Sequence, residues 1–234
     1  MDQNTRFIYP LIFIVLVMVN TAIAQETVFN VPTTDVLDLN KAYFELDVTA
    51  KPVEPEFSSF VPRFMYGAGH KIEIGVNLPG NIQPGPDALT IVPAIKWKFY
   101  DGKKNGWAVV LGDNVYFPVQ NKTYDAGTFV YAMAQKTFST KTRIGFGANY
   151  FSKDVVKPDE DVVGAQLTLE QPVTERFVLC ADWFSGDHAS GYLTAGGYYK
   201  FTEKFTGYAG YSIGNTNISQ GNHFFYFEAG YNFN

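Results

Sequence analysis

From residue 42 to the end of the chain, apolar and polar residues alternate. In "KIEIGVNL", Ile72, Ile74, Val76 and Leu78 fall on one face and Lys71, Glu73, Gly75 and Asn77 on the other. "YFELDVTA" sets Phe44, Leu46, Val48 and Ala50 against Glu45, Asp47 and Thr49, and "VGAQLTLE" sets Val163, Ala165, Leu167 and Leu169 against Gly164, Gln166, Thr168 and Glu170. Period two is the signature of a strand with two unlike faces, and the helical period is nearly absent. About twelve segments carry it, at roughly 42–52, 57–67, 70–79, 88–100, 105–116, 126–137, 141–152, 161–171, 175–185, 191–201, 204–214 and 222–233. In the sixth, Phe129, Tyr131 and Met133 compete with Val130, Ala132 and Ala134 for the apolar face.

The connections alternate too. "GAGH", "DGKKN", "TFST", "PVTE" and "TE" are short; "PGNIQPGPD", "FPVQNKTYDAG", "SKDVVKPDEDV" and "NTNISQG" are longer, with "SGDHAS" between them in length. One end of the sheet therefore has tight turns and the other has loops. A soluble sandwich has no reason to sort its connections this way, whereas an outer-membrane barrel has short periplasmic turns and long extracellular loops. The expected fold is a single all-β transmembrane antiparallel barrel of about 12 strands, over 41–234. An even strand number returns the chain to the periplasmic side.

Aromatic placement agrees. Tyr66, Trp97, Phe99, Trp107, Phe138, Phe177, Phe201, Phe205, Tyr231 and Phe233 lie at the turn end; Phe60, Tyr116, Phe117, Tyr150, Phe151, Trp183, Tyr192 and Phe225 lie at the loop end. Two aromatic girdles mark the two lipid–water interfaces of a membrane barrel. Composition strengthens this: 17% aromatic, 18% charged and 21 Gly, against about 25% charged in soluble domains. The net charge of −5 argues against a nucleic-acid partner, which needs a basic face.

The N-terminus reads as a secretory signal over 1–24. Arg6 is followed by an apolar run from Phe7 to Val19 and by Ala22-Ile23-Ala24, a small-x-small cleavage pattern. The run is about 13 residues, too short to span a bilayer as a helix. Residues 25–40 are then a periplasmic segment or a partial plug. Cys180 is the single cysteine, so there is no disulfide framework and no lipid-anchor cysteine at the cleavage site.

With lipid outside, the polar parity faces the lumen. That selects Glu45, Asp47, Arg63, Glu73, Lys96, Arg143, Gln166, Glu170, Asp182, Lys200 and Glu228 as lumen-lining candidates. Both signs are present, which fits either a solute path or a salt-bridged, hydrated filling. Twelve strands lie between the filled eight-strand barrel and the open sixteen-strand one. Tyr43, Tyr198 and Tyr208 share the inward parity and are placed either to stack on aromatic solutes or to pack. Catalysis finds little support. His188 beside Asp187 and Ser190, and His223 near Ser219, are loop neighbours rather than a nucleophile–base–orienter set. Asp154, Asp159, Glu160 and Asp161 crowd one loop without the spacing of a calcium loop. No catalytic residue, metal or cofactor is expected.

"NKAYFELD", "PRFMYGAGHKIEIGVNLPG" and "IVPAIKWKFYDG" together resemble the outer-membrane transporter family linked to phenol meta-pathway degradation. The resemblance implies a Gram-negative outer-membrane location and passage of small solutes, aromatic ones among them. The expected function is passive, porin-like passage. A non-conducting structural or adhesion barrel acting through its loops is the alternative, and a lipase-type enzyme ranks last. The final stretch "HFFYFEAGYNFN" puts Phe225, Phe227, Ala229, Tyr231 and Phe233 on one face. It resembles the C-terminal signal read by the barrel-assembly machinery, which normally ends on an aromatic residue; here Asn234 follows Phe233. Outer-membrane lipid and that machinery are the expected partners, together with an unidentified small solute.

Overall fold

The computed structural model describes residues 26–54, 56–79, 89–120 and 125–233; the signal segment 1–24 lies outside them. The strands are β1 (Ala42–Lys51), β2 (Phe57–Gly69), β3 (Ile72–Asn77), β4 (Leu89–Gly102), β5 (Trp107–Gln120), β6 (Gly127–Thr137), β7 (Arg143–Phe151), β8 (Val163–Pro172), β9 (Phe177–Phe184), β10 (Tyr192–Lys200), β11 (Phe205–Gly214) and β12 (His223–Phe233). Each pairs antiparallel with its chain neighbour, and β12 closes on β1 in register from Ala42↔Phe233 to Ala50↔Phe225. Closure is obligatory in lipid, where an open edge would leave backbone N–H and C=O groups without partners.

Expected and observed strands agree to within a few residues. β3 is the shortest; His70 and Lys71, both at positive φ (51° and 62°), form the two-residue turn joining it to β2. Two successive left-handed residues make the primed turn that suits strand twist.

The alternation sorts the faces. Phe44, Ile74, Ile95, Leu111, Phe146, Leu167, Leu179 and Phe227 are exposed on the outside. Tyr66, Trp97, Phe99, Trp107, Phe177, Phe205, Phe225, Tyr231 and Phe233 are exposed there too, and Trp183 is half-buried. On β6 the aromatic parity faces inward: Phe129, Tyr131 and Met133 are buried and Val130 is exposed.

Three girdle expectations fail. Phe151 is buried, and Tyr116 and Tyr192 pack against interior clusters. Each shares its strand parity with inward polar residues, Phe151 with Asn149, Tyr116 with Asn114 and Tyr192 with Thr194. Parity within the strand decides the side; nearness to the loop end does not.

The interior is occupied by residues 26–40. The segment leaves β1 at the turn end, where Lys41 N–H donates to the Asp38 carbonyl (3.1 Å) and Asn40 N–H to the Gly67 carbonyl (3.0 Å). A Cβ at Gly67 would lie 2.0 Å from the Asp38 carbonyl oxygen, so only glycine admits this approach. The segment then climbs the lumen and folds back as a hairpin. Val28 N–H donates to the Val31 carbonyl and Thr33 N–H to the Glu26 carbonyl, both at 2.9 Å.

Three apolar clusters form around it. Val28 and Phe29 pack among Val178, Cys180, Tyr208, Phe224 and Tyr226. Val31 packs with Val110, Phe129, Tyr131, Met133, Phe151 and Phe184. Leu37 packs with Tyr43 and Met65. The apolar inward residues of β6, β9 and β12 therefore face a segment of the same chain rather than water. Burying each such side chain contributes on the order of 2 kcal/mol.

Candidate functional site: the occupied lumen

Polar wall residues grip the segment at three levels. Near the loop end, one Asp182 oxygen accepts the backbone N–H groups of Phe29 (3.0 Å), Asn30 (2.6 Å) and Val31 (2.8 Å). The hairpin makes this possible, because its bend points three successive N–H groups at one spot, the concavity that binds anions elsewhere. The Tyr226 hydroxyl donates to the Phe29 carbonyl at 2.8 Å, and Asn30 Nδ2 donates to Thr194 at 3.1 Å. A Cβ at Gly210 would stand 2.9 Å from the Phe29 ring, so this glycine leaves room for the ring against the wall.

At mid-height, Arg63 on β2 meets three carboxylates: Asp47 at 2.7 Å, Glu45 at 3.4 Å and Glu26 of the segment at 3.6 Å. Glu228 on β12 stands opposite Asp47 in register. All four carboxylates are buried.

Toward the turn end, Lys96 pairs with Glu73 at 2.9 Å, and Glu73 accepts Leu37 N–H at 2.9 Å. Arg143 joins Asp35 of the segment (2.8 Å) to Glu170 (3.1 Å) and Gln135 (2.7 Å). The Thr34 hydroxyl donates to Gln135 at 2.5 Å. Lys200 sits 5.9 Å from the Tyr198 ring centre. Gln166 is fully buried, with no hydrogen-bond partner for its amide among the described residues.

All eleven lumen-lining candidates thus lie on the inward parity; seven of them, Glu45, Asp47, Arg63, Glu73, Lys96, Arg143 and Glu170, join ion pairs among themselves or with the segment, and Asp182 accepts the backbone N–H groups of residues 29–31. The grip on the segment was not visible in advance, because "ETVFNVPTTDVLDLN" has no period that marks it as interior. Phe29, Tyr226 and Gln135 belong to the same machinery and were missed. Each shares parity with a chosen residue or lies in that segment. Tyr43 and Tyr208 are buried; the Tyr43 hydroxyl donates to Glu45 at 3.0 Å, and Tyr198 packs on Tyr208 with ring centres 4.9 Å apart.

Two cavities flank the segment. One of about 880 Å³ opens at the turn end, lined by Thr34, Asp35, Lys98, Lys136 and Arg143 among others. One of about 400 Å³ lies in the loop half, lined by Glu26, Asn30, Asn77, Asn114, Tyr131 and Phe151 among others. Over the second, His188 packs edge-on against Phe151 and Phe184 (ring centres 4.8 and 5.4 Å) and accepts the Ser190 backbone N–H at 3.2 Å. Its burial disfavours protonation, and Glu160, Asp187 and Asp161 oppose that weakly. The contact with Ser190 runs through its backbone, not its hydroxyl. His223 meets Tyr211 on the outer face. Glu160 in the acidic loop is tied to Lys157.

No family model matches the chain, and no curated protein matches it. Among solved structures, a KdgM porin in complex with disordered oligogalacturonate aligns with a TM-score of 0.58 at 6% identity, over 83% of this chain and 99% of that one. The COG4313 outer membrane channel from Pseudomonas putida F1 aligns at 0.49 and 13% identity, over 86% and 98%. At 6% identity, what the chain shares with the porin is the barrel fold.

Proposed function

We propose that this chain is a porin-like outer-membrane channel for small solutes, normally narrowed by its own residues 26–40. The observation that carries the reading is the pair of lumen cavities with the segment between them. Thr34 and Asp35 line one, Glu26 and Asn30 the other. Displacing the segment joins them into one path. The fold shared with a porin supports this at the level of architecture, and the resemblance to phenol-pathway transporters extends the solute class to aromatic compounds. Outer-membrane lipid meets the outward apolar face, and β12 is the strand offered to the barrel-assembly machinery.

The test is conductance in planar bilayers, comparing the full chain with a variant lacking residues 26–35. The full chain is expected to pass small or intermittent currents and the shortened one large, steady currents. A folded, heat-modifiable shortened barrel that passes no current above background overturns the proposal. That outcome favours the second reading, a non-conducting structural or adhesion barrel. The zero exposure of Val28, Phe29 and Val31 is the observation on its side.

A further inference from the structure

The seam where the barrel closes carries more negative charge than its neighbours offset. Glu45 and Asp47 on β1 and Glu228 on β12 each present an oxygen, and these lie within 4.8 Å of one another. All three side chains are at most 3% exposed.

The donors around them can be counted. The Tyr43 hydroxyl is given to Glu45, and Arg63 is shared among Asp47, Glu45 and Glu26. The Tyr226 hydroxyl donates to the Phe29 carbonyl and stands beside Asp47 as well. Among the described residues no donor reaches Asp47 Oδ1 or either oxygen of Glu228 in hydrogen-bond geometry. Tyr208 stands directly opposite Glu228 on β11. Its hydroxyl is also buried and without a hydrogen-bond partner. Unpaired carboxylates out of water are strongly disfavoured, so they are paired or bind a cation.

We propose that Glu45, Asp47 and Glu228 together hold one divalent cation at the β12–β1 seam, calcium in the first instance. The donor set is oxygen only, which selects hard cations and disfavours zinc or copper. The spacing suits it: ligand oxygens about 2.4 Å from a calcium ion lie at most about 4.8 Å apart. Charge suits it too: Arg63 alone faces the four buried carboxylates Glu26, Glu45, Asp47 and Glu228, and a divalent ion offsets two of the three charges it leaves unmet. Because its ligands come from the first and last strands, the ion clamps the closure of the barrel. Through Arg63 and Glu26 it also steadies the lumen segment. The proposal is independent of whether the barrel conducts.

The folded protein, stripped with EDTA in detergent at neutral pH, is titrated with calcium chloride by calorimetry. Bound radioactive calcium is measured in parallel. One ion per chain is expected, with a higher temperature for loss of the heat-modifiable form. Glu228→Gln is expected to weaken binding at least tenfold, and Asp47→Asn likewise, while Asp159→Asn in the exposed acidic loop leaves it unchanged. Terbium should give luminescence excited through the adjacent tyrosines and quenched by added calcium, a readout that needs no variant. Failure of the wild-type barrel to retain calcium, magnesium or manganese overturns the proposal, and so does absent tyrosine-excited terbium emission. Folded Glu228→Gln that binds as tightly as wild type, or loss of binding in Asp159→Asn, also overturns it. In the absence of metal binding the cluster is a set of carboxyls that share protons.

Discussion

The two ends of the lumen segment are held by different chemistry. The upper end, residues 29–31, gives its backbone to a buried carboxylate and its side chains to two dry apolar clusters. The lower end, around Asp35, gives a side-chain carboxylate to Arg143, and both partners are about one-fifth exposed. The upper contacts work in a low-dielectric interior, where an unmet N–H is costly. The lower pair is partly screened by water and salt. The upper grip therefore sets how firmly the segment is seated, and the lower grip how that seating responds to its surroundings.

Asp182→Ala should break the upper grip outright. It orphans three interior N–H groups at about 1–3 kcal/mol each, on the order of 3–9 kcal/mol together. Hydrogen exchange over residues 27–33 is expected to approach that of a free chain. Retained protection would show that the apolar clusters hold the hairpin alone. Phe29→Ala comes next, at about 3 kcal/mol, since it empties the space against Gly210. The readout is the same exchange measurement with Asp182 intact, and an unchanged rate would mean the ring is idle. Asp35→Asn should cost about 1 kcal/mol and loosen residues 34–38 while leaving 29–31 protected. Its distinguishing mark is salt: wild-type exchange at 34–38 should rise with ionic strength and the variant's should not.

The smallest effect concerns His188 above the loop-side cavity. Burial lowers its pKa below the usual value of about 6.5. The neutral ring packs on Phe151 and Phe184, so the closed loop is at full strength above about pH 6.5 and weakens as pH falls below it. Exchange of the Ser190 and Gly191 amides should rise on mild acidification, and His188→Gln should remove that dependence. A flat profile in the wild type would show that the loop opens without proton uptake.

Much of the barrel was legible in its sequence for a physical reason. The outward residues of β4 from Leu89 to Phe99 and of β8 from Val163 to Leu169 are all apolar, as lipid requires, so Ile95, Trp97, Leu167 and Leu169 write period two plainly. β6 is ambiguous because both its faces are apolar, one for lipid and one for Val31. The polar parity likewise led to Asp182, Arg63 and Arg143. It was silent about their partner, since a short segment with Pro32, Thr33 and Thr34 takes its conformation from the wall around it. Phe151, Tyr116 and Tyr192 were misplaced when height along the barrel was weighed above parity.

The Asp38–Lys41 turn has a mechanical consequence. It ties the segment to β1 at the turn-side mouth, with Asn40 bound to Gly67, so the segment is on a leash anchored below. From residue 28 to residue 38 the chain reaches roughly 35 Å when fully drawn out, slightly more than the roughly 30 Å of membrane hydrocarbon. Because the anchor lies at the turn-side mouth, the segment can be pulled clear through that mouth with the anchor intact. Pulled from the loop side, the drawn-out chain still threads the lumen, and emptying it that way would mean tearing the anchor from the wall. Withdrawal is one-way, and only a force applied from the turn side can empty the barrel without unravelling it.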